Sequence, residues 1–372
     1  MTELQPPTRH PGLEVVRGAA LLALFALQGM GSAPSPALLS AQVAALLLSA
    51  VVAGRVFGRT LDQDGLAACT GHLARRAGQY ALVFAGLGAV LLLLRAGGAV
   101  DPAALAVWQA TADTPAQVLL PLPGDSLLYQ WREWLLLRAG PVPLQILVLS
   151  TWLLLASPLL LWLMQRVPVA LPAALALALA AWSELPAWTD APFEGPHPLG
   201  RWLAVWVVGL TLGVGWDGMA RWAPAGRRLT LLALVATSMM LWGQAQRPEL
   251  AALAAACAGA LLAHEALRLP LAAVRALRLL AQWPVLAWLV HGAMLLGAAV
   301  APAGAGPVAW CLASLAAVLL AVALAELRQQ LVQPGAGRPL AGRGMRDAGH
   351  YNEDRALLFR RSQGPGANTL GQ

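Results

Sequence analysis

The sequence predicts an all-α, polytopic membrane bundle of about ten transmembrane helices with both termini in the cytoplasm. Three observations predict it. Of the 372 residues, 58% are hydrophobic and only 12% are charged, against roughly 25% charged in a soluble domain. Mean hydropathy is +0.63. Apolar runs recur about every 25 to 35 residues, the spacing of successive membrane crossings. Third, basic residues alternate in density from one connection to the next. Long apolar runs replace the period-two alternation of a barrel strand, so barrels are excluded. Helices remain, because they satisfy every backbone group within lipid.

The expected spans lie near 13–31, 37–57, 77–94, 143–165, 169–183, 202–216, 229–244, 250–267, 282–301 and 307–327. Those at 169–183 and 202–216 fall short of the roughly 20 residues of an upright crossing and extend into their flanks. All 25 basic residues are Arg, giving a formal net charge of +7. With the N-terminus inside, 19 arginines fall in inner segments and five (Arg95, Arg132, Arg138, Arg201, Arg247) in outer ones. Arg17 sits within the first span. This bias follows the positive-inside rule and predicts even span number. It also assigns the basic charge to anionic lipid rather than nucleic acid. Small residues at Gly31–Ala33 imitate a signal cleavage site, but Glu14 and Arg17 would interrupt the signal core, so the first span is expected to stay.

Residues 1–331 form the expected bundle, with an external segment at 95–142. That segment ends in Tyr129-Gln130-Trp131-Arg132-Glu133-Trp134, an amphipathic helix with Trp131 and Trp134 on one side, suited to headgroup anchoring. Residues 332–372 form a polar, Arg- and Gly-rich cytoplasmic tail without a core of its own. Cys69, Cys257 and Cys311 are scattered, with no disulfide framework or metal spacing.

The ionisable residues in or beside lipid form the candidate site. Glu14, Arg17 and Gln28 share one face of the first span, since Arg17 and Gln28 differ by about 20° around the axis at 100° per residue. They either line the bundle interior or mark the cytoplasmic boundary. Arg55, Arg59, Arg75 and Arg76 cluster between the second and third spans. They are either phosphate-binding groups, for which Arg geometry is suited, or ordinary inner charge. His291, in the middle of the ninth span, is either a general base for a hydroxyl or an interhelical hydrogen-bonding group. His264 and Glu265 close the eighth span and read as structural. Glu184, Asp190, Glu194 and His197 give an acidic outer loop, able to bind sugar or simply solvated.

The Leu13-Glu14-Val15-Val16-Arg17-Gly18-Ala19-Ala20 opening resembles the acidic-x-x-Arg-Gly start of the acyltransferase-3 superfamily. The stretch Gly54-Arg55-Val56-Phe57-Gly58-Arg59, then Gly65, Arg75-Arg76-Ala77 and Tyr80, resembles OpgC-type proteins more specifically. The span Leu144–Met164 with Arg166, and His197-Pro198-Leu199, follow the same layout. The resemblance implies an inner-membrane bacterial O-acyltransferase that succinylates periplasmic glucans. It implies an acyl-coenzyme A type donor, with no permanently bound cofactor and no metal. Arg17, Arg75 and Arg76 would hold the donor, with Arg55 and Arg59 beside them. The family carries Asp-His late in the first span. Leu27-Gln28 stands there in this chain, and Gln cannot exchange a proton at neutral pH, which leaves His291 as the base. The alternative is a catalytically inactive relative, an accessory subunit docking a protein partner through tail 332–372. A transporter would need broken helices in two matching halves, and the sequence offers none.

Overall fold

The computed structural model describes residues 11–29, 36–98, 127–137, 142–167, 199–219, 271–300 and 307–332, with isolated positions at 230, 254 and 257–259. These residues form helices and no strand. In chain order they are α1 (Pro11–Gly29), α2 (Pro36–Ala96), α3 (Leu127–Leu135), α4 (Val142–Arg166), α5 (Leu199–Val214), α6 (Trp216–Met219), α7 (Leu271–Gln282), α8 (Pro284–Val300) and α9 (Pro307–Val332). The chain divides into compact units at Met1–Ala323 and Leu324–Gln372. In the second unit, the described residues are the last turns of α9, where Gln330 donates to Glu326.

Among the described residues, three helices are long and apolar enough to cross a membrane: Ser40–Leu94, Leu144–Arg166 and Val308–Leu331. A bent pair, Arg275–Gln282 with Pro284–Ala298, makes a fourth when counted as one span. The chain is therefore a membrane protein whose described residues are all helical. The expected span at 169–183, all of 229–244 but 230, and all of 250–267 but 254 and 257–259 lie outside the described residues. So do the acidic loop, His264–Glu265 and the tail beyond Val332.

Two expected spans are joined in α2. Gly65 breaks it with φ 83° and ψ 177°, a conformation that glycine reaches without a Cβ penalty. The two arms fold back on each other there. Ser49, Val52 and Val56 line the same cavity as Arg75, Arg76 and Gln79, although along a straight helix Ser49 and Gln79 would stand about 45 Å apart. Cys69, just beyond the break, donates its thiol to the Phe57 carbonyl.

Glycines set the helix crossings. A Cβ on Gly213 would fall 2.2 Å from the Val51 carbonyl oxygen, and one on Gly54 would fall 2.3 Å from that of Leu210. Gly209 meets Leu47 and Ala50 in the same seam. Gly209-x-x-x-Gly213 thus lets the backbone of α5 touch the first arm of α2, the small-residue packing of membrane helices. Gly18 does the same for α1 against Leu277 of α7. Trp206, on α5, donates to buried Ser157 of α4, one residue before Pro158, a proline inside that helix.

The aromatic helix α3 packs on the second arm of α2. Trp134 is buried, in ring contact with Phe84 and Trp131. Both tryptophans lie over Gly88, where a Cβ would meet them. Trp134 is therefore seated in a protein groove made by glycine on α2.

Candidate functional site

The buried face of α1 carries Glu14, Gly18, Leu21, Phe25 and Gln28. This three- and four-residue spacing puts the polar groups against the rest of the bundle, as their cost in lipid requires. Close approach at Gly18 brings α7 within reach of both charged residues. Glu14 accepts from Arg278 Nε at 3.3 Å and Gln282 Nε2 at 3.1 Å. Arg17 donates from Nε to Ser49 Oγ and from Nη1 to the Ala281 carbonyl, both at 3.2 Å. The second contact follows from the 91° bend between α7 and α8. A helix end leaves carbonyls without intrahelical donors, and a cation suits them.

Arg17 lies on the wall of a cavity of about 390 Å³. One wall is the face His72, Arg75, Arg76, Gln79 and Tyr80 on the second arm of α2. Ser49, Val52, Ala53, Val56 and Phe57 of the first arm stand across from it, and Ser150, Trp206, Gln282 and Trp288 also contribute. His72, Arg75 and Gln79 are exposed, Arg76 is half-buried and Tyr80 is buried. Arg76 donates to Gln79 Oε1 at 2.9 Å, and its guanidinium lies 5.8 Å from the centre of the Tyr80 ring. The site thus has an exposed cationic edge, an apolar lining and a guanidinium anchored inside. Such an arrangement takes an anionic molecule with an apolar part.

The cavity gathers three expected residues, Arg17, Arg75 and Arg76. Arg55 and Arg59 are not among its lining residues, and the Arg55 backbone packs against Gly213. Glu14 sits behind Arg17, held by α7. His291 and Gln28 are also outside the lining. His291 is fully buried. Its Nε2 lies 3.1 Å from Gln28 Oε1 and its Nδ1 lies 2.7 Å from Ser314 Oγ. Phe25 stacks on the imidazole at 4.4 Å, and Trp288 meets it edge-on at 6.1 Å.

His72, Ser49, Gln79, Gln282 and Ser314 escaped the sequence reading. His72 and Gln79 were legible, since 72, 75, 76, 79 and 80 fall on one helical face. The others owe their place to tertiary contacts. The family model of the OpgC protein matches residues 35–333. The chain belongs to the OpgC family. Membership gives it a membrane acyltransferase-like role. The OpgC match includes both arms of α2, His291 and Ser314, and begins after α1. No curated protein and no solved structure matches the chain.

Proposed function

We propose that this OpgC-family protein transfers an acyl group from an anionic thioester donor to a hydroxyl of a periplasmic glucan or related polyol. The carrying observation is the cavity with Arg17 inside and Arg75 and Arg76 at its exposed edge. Arg75, Arg76 and Gln79 would meet the phosphates of an acyl-coenzyme A type donor, the apolar lining its acyl arm, and Arg17 a carboxylate such as that of succinyl. Arg55 and Arg59 add positive field near the entrance without lining the cavity. The arginine distribution supports about ten spans with both ends inside, in a bacterial cytoplasmic membrane. The Gly65 turn and its donor edge then face the cytoplasm, where thioester donors are made.

One observation favours the second reading, an inactive accessory subunit with tail 332–372 on a protein partner. The cavity lacks the first-span base, because Gln28 stands in its position and its amide is bonded to His291. Purified full-length protein given radiolabelled succinyl-coenzyme A and a β-glucan separates the two. Labelled glucan supports transfer. Donor binding without transfer supports the subunit. Absence of donor binding sinks the cavity assignment.

A further inference from the structure

Four of the chain's span hydroxyls do what hydroxyls in membrane helices ordinarily do. Thr60, Thr151, Ser157 and Thr211 each donate to the carbonyl four residues back. Ser314 instead reaches across to another helix. Its Oγ is 2.7 Å from His291 Nδ1, and both side chains are buried. Gln28 Oε1 can only accept, so the imidazole proton sits on Nε2 and points at it over 3.1 Å. The Nδ1 lone pair then receives the Ser314 hydroxyl proton. This is a nucleophile, a base within hydrogen-bond reach, and a third group fixing the base's tautomer. A neutral amide in the third position also suits a membrane interior, where a carboxylate is costly.

We propose that Ser314 is the nucleophile that carries the acyl group as an ester, activated by His291 and oriented by Gln28. The proposal rests on the acyl-transfer reading above. In the first half-reaction Ser314 Oγ gives its proton to His291 Nδ1 and attacks the thioester carbonyl carbon. The C–S bond breaks, and the leaving thiolate takes the proton from His291. In the second, the acceptor hydroxyl gives its proton to His291 and attacks the ester carbonyl. The C–Oγ bond breaks and Ser314 recovers the proton. No oxidant, metal or further reactant is needed.

Location supports this assignment. Leu21 and Trp288 line the donor cavity, and Trp288 lies one helical turn before His291. Phe25 and Trp288 are in ring contact at 4.8 Å and each lies against the His291 ring, so Trp288 stands between the cavity and the imidazole, and the donor's acyl end would enter by displacing it. Arg17 and Gln28 stand about 16 Å apart along α1. An acyl-serine between them joins a donor on one side of the bilayer to an acceptor on the other.

The test uses full-length protein in detergent and an alkyl fluorophosphonate, read by mass spectrometry of the labelled peptide. The expected result is an adduct on Ser314, at least about tenfold slower to form in His291→Gln and absent in Ser314→Ala. Ser314→Cys preserves the size of the residue; its expected product with radiolabelled succinyl-coenzyme A is a thioester released by neutral hydroxylamine. Wild-type glucan labelling by Ser314→Ala overturns the carrier while leaving the transfer reading standing. An adduct at Ser314 in a protein that turns over no thioester supports the nucleophile and overturns that reading. No adduct at Ser314, or one whose rate ignores His291, overturns the proposal.

Discussion

The cationic cavity and the Gln28–His291–Ser314 chain sit within a few helical turns of each other and solve opposite problems. The cavity keeps charge beside water. Arg75 and Arg76 are at its exposed edge, and Arg17 is held by a hydroxyl and a helix-end carbonyl that leave its charge uncompensated by either. The relay keeps polarity away from water. Its groups are neutral, buried, and bonded across three helices. The difference teaches that this fold separates binding from proton handling. Changes in the first region should alter ligand affinity, and changes in the second should alter stability and the chemical step.

That contrast can be broken most severely at the seam holding both regions in place. Gly213→Leu puts a side chain where the Val51 carbonyl lies 2.2 Å from a bare Cβ. The expected cost is at least about 3 kcal/mol, seen as loss of monodisperse protein or a thermal midpoint lower by several degrees. Gln28→Leu comes next. It strips the His291 Nε2–H of its acceptor, and a buried unsatisfied donor costs about 1–3 kcal/mol. Thermal unfolding in detergent should register this with donor affinity changed less than about twofold. Arg76→Gln should do the reverse, weakening donor binding about fivefold with no change in thermal midpoint, since charges at the cavity edge are screened. The salt dependence of binding should flatten with it. The smallest effect is Gly86→Ala, where an added Cβ meets nothing within 4 Å. Helix propensity then predicts a gain of about 0.5–1 kcal/mol, measured in the same unfolding assay. A loss there would mean that another surface covers this helix face.

Much of the architecture was legible because lipid imposes a strong, local code. The apolar runs located α4, α8 and α9, and the charged face of α1 pointed inward as its cost demanded. The Gly209-x-x-x-Gly213 seam is equally local, but it emerged only from the structure. What escaped were features made by distant pairs. Nothing in the sequence links Gln28 to His291, 263 positions away, or distinguishes Ser314 from other span serines. Trp134 read as an interface anchor because its side of α3 is aromatic, whereas Gly88 on another helix makes it a core residue. Arg75 and Arg76 fall on the second-arm face that lines the cavity, whereas Arg55 and Arg59 fall outside the first-arm face that lines it, and only the packing of the arms shows which faces meet.

The most direct measurement is equilibrium binding of succinyl-coenzyme A to purified wild type, Arg17→Gln and Ser314→Ala. Removing a charge-assisted contact predicts at least about a tenfold loss of affinity in Arg17→Gln. Ser314→Ala should bind as wild type while labelling no glucan. Equal affinity in wild type and Arg17→Gln would contradict the cavity as the donor site.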